Sequence, residues 1–327
     1  MVQARDRSYF FLGKACKGAL SRRYVLDLTP PRITVEGTQH NLNQGGAGLV
    51  AYTLSEEVQK SGVKVGELFF PGHKQANGTY YCLFAMPHDV PPADFKPLLY
   101  AQDPADNETT RPFPVHANPK PFRKDKMPVS DNFLNQVMPQ FKKHFPGEND
   151  LLALYLKVNR TLREANAAQL RTVGLTTSPT ANWQGAFLRL PNAAPMAGFG
   201  DKREYFHGSE KIDEQTHLGI DLASLKNAEV PAANAGYVVF AGELGIYGNA
   251  VVVDHGLGLH TLYAHLSQID VAKGARVAKG QVVGKTGETG LAGGDHLHYG
   301  VLVSGVPVNP AEWWDPSWIK NNVTDHF

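Results

Sequence analysis

Cysteine is scarce in this chain, with Cys16 and Cys82 alone among 327 residues. Neither sits in a CxxC pair, so a disulfide scaffold, a thiolate metal site and a redox dithiol have no support, and both read as ordinary small hydrophobes. Net charge is nearly absent as well: 32 basic residues against 31 acidic ones leave +1. That provides no bulk field to gather nucleic acid or an anionic membrane, and no nucleic-acid motif is present. Long hydrophobic runs are missing too. The patch YFFLG near the start is interrupted by Lys14, Lys17, Arg22 and Arg23, well short of a signal h-region or a membrane span, and KAC at 14–16 is a poor lipoprotein site. Membrane anchoring is not evident, and residues 1–30 are expected to be a tail or an altered anchor.

What is present points to a mainly β protein of two or three domains. Gly (32) and Pro (22) exceed what a helical bundle holds, while 42% hydrophobic residues suffice for packed cores. Between 31 and 114, RITV, GLVAYTL, VKVGELFF and TYYCLFAMP alternate and are punctuated by Gly and Pro, predicting an immunoglobulin-like β-sandwich. Residues 115–190 are expected to be a helical connector: a Pro- and Lys/Arg-rich linker, RPFPVHANPKPFRKDKMP, leads into helices capped by Ser130 and Asp150. From 191 to 320 short strands with Gly turns return, predicting an antiparallel, barrel-sandwich-like β domain, with a tail at 321–327.

Chemistry concentrates in that last domain. Six of the 13 histidines fall between 217 and 298. In HLGID, His217 and Asp221 are four apart around Gly219; in HLH, His296 and His298 are two apart on a strand and share a face; His265 lies in YAHL. A hydrolytic zinc ion requires three N/O ligands and one open position, and His217, Asp221 and His298 supply two imidazoles and a carboxylate. On a straight strand His217 and Asp221 would be about 13 Å apart, so the chain must bend between them, and Gly219 is where it can. His265 and His296 are left for proton transfer, one taking a proton from water and the other donating to the oxyanion or leaving amine. His255 and His260 are expected to be structural, and Asp254 and Asp295 to be turn residues or hydrogen-bond partners of an imidazole.

At these residues the sequence resembles the lysostaphin/LytM-type peptidoglycan metalloendopeptidases. The resemblance runs from about Phe199 to Trp318, through FGDKREYFHGSEKIDEQTHLGIDLAS, GIYGNAVVVDHGLGLHTLYAHLS, KGQVVGKTGETG and GGDHLHYGVLVSGVPVNPAEWW. It implies a narrow groove between antiparallel strands with one zinc ion on His217, Asp221 and His298, a catalytic pair in His265 and His296, and an aromatic beside the groove in Tyr247. The first 190 residues resemble, more loosely, the accessory part of envelope-associated proteobacterial members. The resemblance implies an endopeptidase of the cell envelope, in the periplasm, acting on peptidoglycan peptides, D-alanyl–diaminopimelate cross-links before glycine bridges. An envelope regulator is a possible partner, and residues 30–190 would position or restrain the catalytic domain. The alternative is a non-catalytic wall-binding scaffold or amidase activator, against which the intact ligand set speaks. A lipoyl-like carrier, suggested by VAKGARVAKGQVVG, leaves the histidines unexplained.

Overall fold

The computed structural model describes residues 2–5, 17–20, 26–37 and 40–326. Cys16, the YFFLG patch and Arg22–Arg23 lie outside the described residues. Strands dominate, paired antiparallel almost throughout, as the alternating sequence demands. In the N-terminal half two four-stranded sheets share a core. One orders Glu108–Pro112, Leu98–Gln102, Lys60–Val65 and Leu68–Pro71; the other orders Ile33–Glu36, Ala47–Leu54, Tyr80–Ala85 and His73–Lys74. Tyr52 donates across the core to Ser61 Oγ at 2.8 Å, and the buried Cys82 thiol donates to the Phe70 carbonyl at 3.2 Å. Cys82 is therefore a satisfied core residue.

The Pro- and Lys/Arg-rich segment is not a free linker. Val115–Asn118 pairs in parallel with His40–Asn43, and Lys124–Pro128 pairs in parallel with Lys202–His207, adding an edge to the hairpin formed with Glu210–Thr216. Proline is tolerated there because it closes an edge strand, and the period-two pattern half-buries Asp125 and Met127 while exposing both lysines. Helices follow. Ser130 Oγ accepts from the Phe133 amide, and Asp150 accepts from Leu152 and Ala153. The second helix runs Leu151–Lys157, widens into a π-turn over Val158–Leu162 and continues as Arg163–Val173. Leu134, Val137, Met138, Phe141, Leu154, Tyr155 and Val158 bury their stripe against Tyr205 and Ile246.

The C-terminal sheet orders Ala194–Ala197, Ile220–Ala223, Leu297–Val303, Leu259–Leu266, Asn249–Gly256, Gly236–Glu243 and Arg276–Val277, with Val306–Val308 on Leu297–Val303. Its central strands are covered on both faces, which explains apolar runs such as VVV. Val251, Val253, Tyr263, Val301 and Val303 join the main core, whereas Ala250, Val252, Leu262, Ala264 and Leu302 meet Leu170 of the helix. Among the described residues no helix is long and apolar enough to cross a membrane.

The two halves meet at Glu312, on the helix Pro310–Trp314. Its carboxylate is 7% exposed and accepts from Asn43 Nδ2 (3.2 Å) and the Ala47 amide (3.3 Å), in a space that exists only because residue 46 is glycine. Burial raises its pKa from 4.5 to about 7, against the pull of those two donors. The folded protein thus holds this proton more tightly than the unfolded chain does. Its contribution to stability is full below pH 4.5 and lost as the pH rises to 7, a change of at most about 3 kcal/mol. Glu312→Gln, which has the shape of the protonated acid, should flatten that slope and unfold at higher urea than the native protein at pH 8. An unaltered slope between pH 5 and pH 8 would show that Glu312 does not titrate in this window.

Candidate metal centre

His217, Asp221 and His298 come together because three strands end or pair beside one another. The strand Glu210–Thr216 stops just before His217, whose amide donates to the Asp201 carbonyl at 2.9 Å. The chain then crosses into another sheet at Ile220–Ala223, where Asp221 lies opposite His298. Leu297–Val303 also pairs with Leu259–Leu266, setting Ala264 opposite His298 and bringing His265 alongside. The turn between His217 and Asp221 therefore exists, but Gly219 is not in the left-handed region. Its role is space: a Cβ there would lie 2.5 Å from His298 Cε1 and Nε2, so glycine lets the His298 ring rest on the backbone.

Three ligand atoms face one point. His217 Nε2 is 2.9 Å from Asp221 Oδ1 and 3.0 Å from His298 Nδ1, which is itself 2.9 Å from Asp221 Oδ1. His217 donates its Nδ1–H to the Gly198 carbonyl at 2.8 Å, which leaves Nε2 bare on the inner side. Burial raises the Asp221 pKa, but the contacts with His217 and His298 outweigh it and hold the carboxyl well below the usual range. Burial, more than the opposing Asp221 charge, lowers His298 to about 4. Two imidazoles and a carboxylate at these separations are a donor set for a divalent metal ion. A second acidic group, Asp27, Glu56 and Asp103, lies far away in sequence and includes two exposed members.

Arg203, which carries no spacing signature in the sequence, completes the arrangement. Its Nη2 donates to Asp221 Oδ2 at 2.9 Å, on the side opposite the imidazoles. The guanidinium is placed by the strand Lys202–His207, where Arg203 lies opposite Asp125 in the parallel pairing. Asp221 is thus held by both oxygens, Oδ1 facing the ligand point and Oδ2 fixed by a cation.

His265 and His296 stand beside the cluster, ring centroids 4.8 Å apart. Each donates its Nδ1–H to a carbonyl at 2.8 Å, Thr289 for His265 and Gly294 for His296, which leaves Nε2 free of that bond and available to the cavity. His296 Nε2 is 3.7 Å from Asp221 Oδ1. Burial, then the neighbouring His296 and His298, lower His265 to about 3. His265 has φ of 62°, a left-handed conformation that costs a non-glycine residue about 1–3 kcal/mol. Tyr247 packs on His298, centroids 5.5 Å apart.

The remaining expected residues are elsewhere. His255 binds the Ala235 carbonyl and Thr261, and His260 the Gly258 and Thr176 carbonyls. Asp254 accepts from Thr177, Ser178 and Gly256, clamping a loop, and Asp295 accepts from Thr286 and the Asn227 amide, so neither orients an imidazole of the cluster. All five site residues line one cavity of about 550 Å³, together with Arg123, Phe133, Tyr155 and Arg163 from the segment before residue 190.

Residues 215–310, which contain every one of these five side chains, match the model of peptidase family M23. The C-terminal unit is a peptidase family M23 domain. The M23 domain is 47% identical over 94 residues to the DD-carboxypeptidase/endopeptidase Mpg of Neisseria meningitidis, covering 29% of this chain and 22% of that protein. It is 43% identical over 93 residues to the peptidoglycan DD-endopeptidase ShyA of Vibrio cholerae, covering 28% and 22%. The matches thus span about a fifth of these relatives. A crystal structure of a peptidase M23 from Pseudomonas aeruginosa superposes with a TM-score of 0.51 at 23% identity, covering 82% of this chain and 92% of that one, a likeness of fold.

Removing the Arg203 guanidinium frees Asp221 Oδ2 and leaves a buried carboxylate with one fewer partner. Arg203→Ala should weaken divalent metal binding by about 10–100-fold, and Arg203→Lys by less. Titration against a chelating dye reads this directly. Unchanged affinity in Arg203→Ala would mean that the ion pair does not hold Asp221 for the metal.

Proposed function

We propose that this protein is a zinc-dependent endopeptidase of the cell envelope, acting in the periplasm on the peptides of bacterial peptidoglycan. The observation that carries this reading is the convergence of three separated motifs on one cavity, with four ring nitrogens, His217 Nε2, His298 Nδ1, His265 Nε2 and His296 Nε2, gathered around the Asp221 carboxylate. The names of the M23 relatives, endopeptidases of D,D specificity, support cross-link peptides as the substrate class.

His217 Nε2, Asp221 Oδ1 and His298 Nδ1 would hold one zinc ion. Ligand atoms at 2.0–2.2 Å around a tetrahedral centre lie about 3.3 Å apart, close to the separations present here. When bound, zinc would supply Lewis acidity toward the scissile carbonyl. Everything else falls to the chain. Arg203 fixes the carboxylate so that one oxygen faces inward. Gly219 keeps the His298 ring in place. His265 and His296 share the proton traffic: one takes the proton of the attacking water at Nε2, and that same proton, handed on by the resulting imidazolium directly or through the second ring, goes to the departing amine.

The segment before residue 190 is proposed to position this centre. Gln140 grips both backbone groups of Gly290, donating to its carbonyl and accepting from its amide at 3.0 Å each, and Asn166 Oδ1 accepts from the Ile246 amide at 2.9 Å. Those two loops border the cavity.

Purified protein should contain one zinc per chain and release cross-linked muropeptides from intact sacculi, read by mass, with the release abolished by a chelator. His296→Ala should retain zinc and lose about 10²–10⁴-fold in turnover, whereas Asp221→Ala should lose the metal itself. Chelator-insensitive digestion would refute the zinc reading. Zinc binding without digestion would move the protein to the scaffold or activator class.

A further inference from the structure

Charges lining the cavity are almost all paired. Arg123 bonds Asp125 and Asp201, and Arg203 bonds Asp221. Asp295 is held by a hydroxyl and an amide. Arg163 differs. Its bonds go to Asn159, from Nε to the carbonyl at 3.2 Å and from Nη2 to Oδ1 at 2.6 Å, and among the described residues no carboxylate pairs with it.

Arg163 is nonetheless held in place. Asn159 is fully buried, and its side-chain amide donates to Asp213 Oδ2 at 2.8 Å, which forces Oδ1 toward the guanidinium. The π-turn Val158–Leu162 sets Asn159 and Arg163 one turn apart. Around Arg163 the wall is aromatic. Tyr155 and Tyr247 line the same cavity as Arg163, and in both hydroxyls the Arg163 charge opposes the upward pull of burial. Tyr247 in turn packs on His298. Arg163 lines the same cavity as the proposed metal ligands and lies outside residues 215–310. A planar guanidinium with unused N–H groups on a cavity wall is a receptor for a carboxylate.

We propose that Arg163, with Tyr155 and Tyr247 as its walls, is a subsite for a free carboxylate on a substrate residue that flanks the scissile peptide bond. Arg163 bonds Asn159 and none of His217, Asp221, His265, His296 or His298, so a carboxylate seated there stands apart from the reacting centre. Chain extends by about 3.3–3.6 Å per residue, so such a group belongs to a neighbouring residue and not to the bond being cut. This rests on the peptidase reading for its substrate, and the test separates the two.

Two cross-linked stem-peptide substrates would be compared, identical except that the flanking carboxylate is free in one and amidated in the other. The full-length native protein should favour the free acid by about 10–100-fold in kcat/KM, mostly through KM, as a charge-assisted hydrogen bond allows. In Arg163→Gln that ratio should collapse to within about threefold, and in Arg163→Lys it should be intermediate. Thermal melting checks that the variants fold; should Arg163→Gln not fold, the ratio in Arg163→Lys decides. A ratio unchanged in the substituted protein overturns the subsite, even if cleavage is efficient. Calorimetry with the corresponding short product peptides, free and amidated, provides the second arm. An Arg163-dependent preference in binding without any cleavage would retain the subsite and refute the peptidase.

Discussion

A single buried carboxylate organises this protein's chemistry. Asp221 is 8% exposed, and an ionised carboxylate at such a position is costly unless every lone pair is used. Oδ1 faces His217 and His298, Oδ2 accepts from Arg203, and the three partners come from separate stretches of chain: two strands and the segment after a third. The sheets must meet along one line for Asp221 to be tolerated at all. That line is the floor of the cavity. Stability and ligand geometry therefore make the same demand, since any shift of Lys202–His207 against Ile220–Ala223 would strand a charge.

The cluster of His217, Asp221 and His298 was legible in the sequence because its members sit in short local patterns. HLGID and HLH each fix a spacing, and strand geometry turns spacing into direction. The M23 match and the mainly β architecture agree with the family and fold class read from the same patterns. Gly219 shows its limit. A glycine between two ligands reads as a hinge, yet here its missing Cβ is occupied by His298, a residue 79 positions away. Only the folded pairing of Asp221 with His298 reveals this.

Arg203 and Arg163 were illegible for a related reason. Each is one of 32 basic residues and belongs to no motif; its role depends on what lies across from it. Arg203 is set by a parallel pairing with Lys124–Pro128, a stretch whose prolines and lysines resemble a linker. Period two is present there, in the half-buried Asp125 and Met127, but composition hides it. Arg163 depends on a π-turn and on Asn159, whose amide is turned by Asp213. Such relays are long-range, and spacing alone does not encode them.

The bonds across the cavity also bear on how the helices act on the centre. Gln140 holds the amide and carbonyl of Gly290, and the adjacent carbonyl of Thr289 is the one that receives the His265 Nδ1 proton. Thr289 Oγ1 accepts from the Asn249 amide and donates to the Leu266 carbonyl, so the loop is clamped from both sides. A plug that leaves a groove open when removed would contact it through side chains and release intact loops. These contacts are to backbone, and losing them would leave the Gly290 amide and carbonyl in want of partners. The conformation that presents His265 Nε2 to the cavity would lose its support at the same time. The helices thus contribute residues to the wall of the cavity and bond the backbone of a loop beside it.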